Sequence, residues 1–170
     1  MMKIRRAETD DALGVAKVQV DSWKTTYKNI VPDAFLEQMT YENREKKWKG
    51  IISYSAVFVA ENNRNEIIGF STGGKETTGK YSDYQGELYA IYILEAYQRN
   101  GIGKQLLEPV IGYLKEKNIV SMTVKVLAEN KSRLFYESLG AREIDVVEIQ
   151  LSGGKLKEIV YGWKDITTII

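Results

Sequence analysis

The alternation of apolar and polar positions divides the chain into short strands and one-sided helices. Residues 3–6 read as a first short strand, and Glu8, Thr9, Asp10 and Asp11 as an acidic helix start, favourable at the positive end of the helix dipole. Leu13, Ala16, Val20, Trp23 and Tyr27 then recur at steps of three and four, the stripe of an amphipathic helix. The run NIVP at 29–32 breaks it, and Pro32-Asp33 suits the start of another helix, with Phe35, Leu36 and Met39 inward. Residues 41–52 read as a third helix, with Trp48, Ile51 and Ile52 inward. Residues 56–61 and 67–73 are strands around the turn NNRN, which makes a hairpin. Residues 74–85 are polar with two tyrosines, and read either as a mobile flap or as a plain long connection.

The rest of the chain is organised around residues 87–114. Residues 88–94 are an unbroken apolar run, as expected of a central strand covered on both faces. The segment QRNGIGK follows at 98–104, and Ile102, Leu106, Val110 and Leu114 then hold helical spacing. Pro109 removes the bond to the Gln105 carbonyl and predicts a kink. Residues 121–127 are the next strand, and Leu134, Tyr136 and Leu139 belong to a short helix that Gly140 can end. Strands at 143–151 and 156–163 flank the turn Ser152-Gly153-Gly154. The switch from even Ile144 and Val146 to odd Val147, Ile149 and Leu151 predicts a bulge. With no repeat, low-complexity tract or linker, residues 1–170 are expected to form one domain.

Composition narrows the chemistry. Lys and Arg total 24 and Asp and Glu 23, so the net charge of +1 argues against a general polyanion binder. The mixed charges Glu42, Arg44, Glu45, Lys46, Lys47 and Lys49 read as a solvated face, and no nucleic-acid partner is expected. The chain contains no cysteine and no histidine, which excludes a Ser-His-Asp triad, a Cys nucleophile and a Cys/His zinc site; no metal is expected. The N-terminal segment lacks an apolar signal region and no stretch approaches membrane-spanning length, so a soluble cytoplasmic protein with no membrane partner is expected.

An apolar strand, a glycine turn and a helix start together make an anion site. A helix N-terminus presents unpaired N–H groups and the positive end of the dipole, and Gly101 and Gly103 allow close approach to the backbone. The Walker pattern fails because Gln105 follows Gly103-Lys104, and the dinucleotide pattern fails because Leu106 stands where a third glycine belongs. What remains is Gln98-x-x-Gly101-x-Gly103, preceded by GELYAIYIL and followed downstream by NKSRLFYESLG. In these residues the chain resembles the GCN5-related N-acetyltransferase (GNAT) superfamily. The stretch WKTTYKNIVP with the later Arg44 and Trp48 is similar to the front end of many bacterial members.

The resemblance implies an α/β GNAT fold, a mixed and mostly antiparallel central sheet with helices on both faces. It implies transfer of acetyl from acetyl-CoA, the co-substrate, to an acceptor amine, by direct attack in a ternary complex. The coenzyme pyrophosphate would lie on the N–H groups of Arg99, Asn100, Gly101, Ile102, Gly103 and Lys104, with Gln98 at the first position of the motif. The pantetheine arm would follow the backbone of Ile91, Tyr92 and Ile93, where an N–H faces the thioester carbonyl. Glu87 matches the catalytic glutamate of the histone-acetylating branch, able to take the amine proton through one water, or is a strand-end surface glutamate. Tyr136 matches the tyrosine that protonates the leaving thiolate, or is an aromatic core residue. Asn130 matches the asparagine that contacts the pantetheine arm, although six residue steps separate it from Tyr136 where the family usually has seven.

Trp23 and Tyr27 either pack in the core or line the acceptor pocket with their far ends. The acceptor is left open among a small amine, a polyamine, an antibiotic and a protein N-terminus. Two rival readings stand beside acetyl transfer: a transferase for a longer acyl-CoA, and a CoA-binding sensor without turnover. The aromatic hairpin at 146–163 and the apolar residues Ile166, Ile169 and Ile170 predict a homodimer that covers them.

Overall fold

The structure is a computed structural model, and it describes residues 2–169. Its spine is one seven-stranded sheet with the order β1-β2-β3-β4-β5-β7-β6. The strands are β1 (Lys3–Arg6), β2 (Val57–Glu61), β3 (Ile67–Lys75), β4 (Gly86–Ile93), β5 (Met122–Leu127), β6 (Arg142–Leu151) and β7 (Gly154–Trp163). The helices are α1 (Ala12–Thr26), α2 (Asp33–Glu37), α3 (Tyr41–Tyr54), α4 (Ile102–Glu116) and α5 (Arg133–Ser138). Every neighbouring pair is antiparallel except β4 and β5, which α4 joins by a crossover.

The sheet is covered on both faces. On one, Val15, Ala16 and Val18 of α1 and Trp48 and Ile52 of α3 pack on Val57, Val59 and Phe70. On the other, Leu107, Val110, Ile111 and Leu114 of α4 pack on Leu88, Met122 and Val124 and reach Tyr136 of α5. The buried side of α1 is Ala12, Val15, Ala16, Val18 and Val20, so the stripe is turned from the expected one: Leu13 is exposed. Leu134 is likewise exposed, and the inward residue of α5 is Tyr136. Helix α4 runs through Pro109 without ending. The Ser71 hydroxyl donates to the Leu106 carbonyl at 2.7 Å, beside the turn where the proline supplies no donor.

Two irregularities shape the middle of the sheet. Thr72 faces Ala90 and Gly73 faces Leu88, so Tyr89 is an extra residue bulged out of β4. The parallel pairing of β4 with β5 also stops early, spanning only Gly86–Leu88 against Met122–Val124. Beyond those residues the two strands part, and Tyr89 is 40% exposed. The expectation of a covered central strand at 88–94 therefore holds at Leu88, fails at Tyr89, and holds in part at 90–94, which are half-buried against the core on both faces. The bulge expected from the switch at Val146 and Val147 lies earlier in β6, between Glu143 and Asp145.

The segment before β4 is tied down. Tyr81 donates to Asp145 at 2.7 Å, Gln85 N–H donates to the Ser121 hydroxyl at 2.9 Å, and the Tyr84 ring lies against Gly162. That favours the plain connection over the mobile flap. The C-terminal apolar residues also differ from expectation: Ile166 and Ile169 are buried in this chain's own core with Trp163, because the last turn folds back onto α4's side of the sheet. The surface that predicted a homodimer is largely internal; Ile170 lies outside the described residues.

Candidate active site

The glycine turn is shaped by two residues in the left-handed region, Arg99 (φ 67°) and Gly101 (φ 77°). A side chain at 101 would meet open space, so glycine is favoured there by backbone conformation. Gly103 differs: a Cβ would stand 3.2 Å from Phe135 Cζ, so glycine lets α4 sit against α5. Gln98 folds back, and its Nε2 donates to the Ile93 carbonyl at 3.0 Å, tying the turn to the end of β4. Among the described residues, the N–H groups of Arg99, Asn100, Gly101, Ile102, Gly103 and Lys104 have no hydrogen-bond acceptor. They form a cluster of free donors at the positive end of a fifteen-residue helix. Ile91, Tyr92 and Ile93 lie just before it, on the length of β4 that β5 leaves unpaired.

The opening between β4 and β5 adjoins a cavity of about 290 Å³. Trp23, Tyr27, Tyr89 and Tyr92 give it aromatic walls, and Leu127, Ile149 and Leu151 aliphatic ones. Its charged groups are Glu87, Lys125 and Glu158. Trp23 and Tyr27 pack with the apolar residues of the core and also line this cavity. Their ring centroids lie 4.4 Å apart at a tilt of 52°, and Trp23 also meets Phe35 and Tyr92. The Trp23 indole N–H is buried and makes no hydrogen bond within the described residues.

Glu87 is buried, not a surface residue. One carboxylate oxygen accepts from the Thr77 N–H at 3.1 Å and the Thr77 hydroxyl at 2.9 Å; the other lies 3.6 Å from Lys125 Nζ. Asn130 is equally engaged. Its Nδ2 donates to the Tyr27 hydroxyl at 2.8 Å, and its Oδ1 accepts from the Ser132 N–H at 2.9 Å. Burial pushes the Tyr27 phenol well above its usual range, and this hydrogen bond offsets only part of the rise.

Tyr136 belongs to the core on α4's side, where its ring meets Trp163 edge-on at 6.0 Å. Burial raises its phenol well above the usual range, and Tyr92 and Tyr27 add to the rise. Those two tyrosines pack with clusters on the opposite face of the sheet, so their influence on Tyr136 crosses the sheet where β4 and β5 part. The sequence reading missed Thr77, Lys125 and Glu158. Lys125 and Glu158 stand in alternating strands as ordinary outward charges, and only the pairing of β5 with β7 brings them together.

A chain with this sheet, this break between β4 and β5 and this free helix end has the architecture of acetyl-group transferases that use coenzyme A. The model of the acetyltransferase (GNAT) family matches residues 20–141, and the chain belongs to that family. It is an acyltransferase. It is similar to an uncharacterized N-acetyltransferase, YuaI, of Bacillus subtilis, 37% identical over 169 residues, covering 99% of this chain and 96% of the relative. A ribosomal protein bS18-alanine N-acetyltransferase of Haemophilus influenzae is 38% identical over 85 residues, 48% of this chain and 52% of that protein. Among solved structures, the fold is shared with the PaiA N-acetyltransferase of Thermoplasma acidophilum in complex with coenzyme A (TM-score 0.76, 21% identity, 95% of this chain and 98% of that one). It is shared also with YncA of Salmonella typhimurium, solved with acetyl-CoA (TM-score 0.72, 17% identity, 98% and 94%). Among the described residues, no helix is long and apolar enough to cross a membrane.

Proposed function

We propose that the protein transfers the acetyl group of acetyl-CoA to a primary amine held in the aromatic cavity, within one domain. The observation that supports this most is the run of free N–H groups at the start of α4, beside the unpaired length of β4. Two negative phosphates fit such a cluster, and the protein need supply no side-chain charge to hold them. The neighbours solved with coenzyme A and acetyl-CoA support the same donor. The thioester then lies along Ile91, Tyr92 and Ile93, where a backbone N–H can stabilise the developing oxyanion by about 3 kcal/mol.

Without cysteine or histidine, direct attack by the amine is the simplest path. Tyr136 stays protonated across the working pH range and donates to sulfur as the C–S bond breaks. Apolar surroundings raise the pKa of a thiol as they do that of the phenol, so the transfer is less uphill than reference values suggest. The amine proton leaves toward the carboxylates of the cavity, where Glu87 stands at the position the resemblance implied and Glu158 beside it. Asn130 acts through Tyr27, as a positioning residue for the cavity wall.

A screen of amine acceptors with detection of free CoA thiol tests the reading. Thiol release that depends on both acetyl-CoA and an amine supports it; binding of CoA without turnover on any acceptor overturns it. The homodimer is carried forward only as association through the open edge of β6, where Val146 is exposed. Light scattering at micromolar concentration should then give a dimer mass that Val146→Lys reduces to the monomer.

A further inference from the structure

The cavity holds three charged side chains, and two of them already have partners. Glu87 accepts two hydrogen bonds from Thr77 and pairs with Lys125. Glu158, on β7 opposite Leu127 of β5, makes no hydrogen bond and no ion pair through its side chain among the described residues. It is half-buried, and the groups that face it are Lys125 and Glu87 across the sheet, Tyr27 of α1, Tyr92 of β4 and Tyr81 of the connection before β4. Counting charge, Glu87 and Lys125 cancel and Glu158 leaves the cavity one negative charge over.

Resting on the acetyl-transfer reading, we propose that Glu158 is the acceptor-binding and proton-accepting carboxylate of this site, and that the acceptor is an amine with a single positive charge and an apolar body. The unpartnered carboxylate meets the ammonium group. The aromatic and aliphatic walls take the rest, with cation–π attraction from the tyrosines. A diamine would bring a second charge with no free carboxylate to receive it, and an unpaired charge in such surroundings is costly. Glu87 is disfavoured as the base because both its oxygens are already bound and taking a proton would disturb the Lys125 pair.

The step balances as follows. An N–H bond of the ammonium breaks, its electron pair stays on nitrogen, and the proton goes to the Glu158 carboxylate. Nitrogen forms the C–N bond at the thioester carbonyl as the C–S bond breaks. Tyr136 gives a proton to sulfur and recovers the second proton that nitrogen loses. Glu158 returns its proton to solvent through the cavity mouth. Burial and the nearby Glu87 charge push the Glu158 carboxyl above its usual range, with Lys125 opposing, which brings it nearer to the pH at which a base is useful.

Calorimetry on the CoA-saturated protein provides the test, with 2-phenylethylamine, the uncharged 2-phenylethanol and 1,4-diaminobutane as probes. Wild type should bind 2-phenylethylamine at least about tenfold more tightly than 2-phenylethanol, and more tightly than the diamine. Glu158→Gln should abolish the preference for the charged probe, and Glu148→Gln, which removes an exposed carboxylate outside the cavity, should keep it. For any acetylated amine, Glu158→Gln should lower kcat/KM by about 10²–10⁴-fold and remove the acid limb of the pH profile, which Glu148→Gln retains. Glutamine keeps the size of the side chain, and circular dichroism should show the variant folded before its affinities are compared. Preference surviving in Glu158→Gln, preference lost in Glu148→Gln, tighter binding of the diamine, or no amine binding at all overturns the proposal. Amine binding that depends on Glu158, without acetyl transfer to any acceptor, leaves the binding role standing and overturns the transferase reading instead.

Discussion

Asn130 Nδ2 donates a 2.8 Å hydrogen bond to the hydroxyl of Tyr27, a residue 103 positions away in sequence. The bond joins the last turn of α1 to the loop that begins α5. It sets the cavity wall, made partly by Tyr27, against the helix that carries Tyr136.

Asn130→Ala should therefore act on both elements. It removes the partner of a buried phenol and the acceptor of the Ser132 N–H, and should cost about 1–3 kcal/mol of stability. A double-mutant cycle with Tyr27→Phe, read by chemical denaturation, should give a coupling of about 1 kcal/mol. Additive effects would mean that the bond contributes nothing in solution.

The glycine turn should respond differently at its two glycines. Gly101→Asp places a carboxylate in open space before the free N–H groups, and should weaken acetyl-CoA binding by calorimetry through like-charge conflict as well as backbone strain. Gly103→Ala brings a methyl to 3.2 Å from Phe135 while gaining helix propensity, so its stability should change by less than about 1 kcal/mol in chemical denaturation. Unchanged affinity in a folded Gly101→Asp protein would remove the pyrophosphate from this turn.

Tyr136→Phe keeps the ring that packs on Trp163 and loses only the hydroxyl, which has no hydrogen-bond partner among the described residues. Steady-state kinetics should show kcat lowered by about 10²–10⁴-fold with acetyl-CoA affinity unchanged. A wild-type rate would reduce Tyr136 to a core aromatic.

Arg5 should tie folding to pH. Its guanidinium donates to both oxygens of Asp11 at 2.8 Å and to Glu61 at 3.2 Å, joining the start of α1 to β1 and β2. These bonds hold the Asp11 carboxyl below its usual range. A carboxyl lowered on folding stabilises above its unfolded value and loses that contribution as pH falls through the folded one. Asp11→Asn should cost about 1–3 kcal/mol near neutral pH, with the difference from wild type shrinking in acid. A pH-independent difference in melting would show that the ion pair is not its source.

The sequence was most legible where one local pattern does one thing. The apolar run before QRNGIGK, the helix with Leu106, Val110 and Leu114 on its buried side, and the glycine turn are all stated within thirty residues, and the structure follows them. It was less legible in the facing of α1 and α5. Leu13 and Leu134 fit a helical stripe by spacing but lie outside, because the width of the stripe is set by what packs against it. The C-terminal isoleucines looked exposed because nothing local says that the last turn returns to the core.

Local chemistry by itself determined the strand–glycine turn–helix unit and the absence of any thiol or imidazole, and the class of reaction followed from the family resemblance those residues carry. Only the tertiary structure decided where the charges go. The bulge at Tyr89 and the early end of the β4–β5 ladder are properties of pairing between distant segments, and they open the sheet beside the cavity that Tyr27 and Tyr92 line. The same pairing sets Lys125 against Glu87 and leaves Glu158 without a partner. A side chain's burial and its companions are set by strand register, and register between segments far apart in sequence is not written in either segment alone.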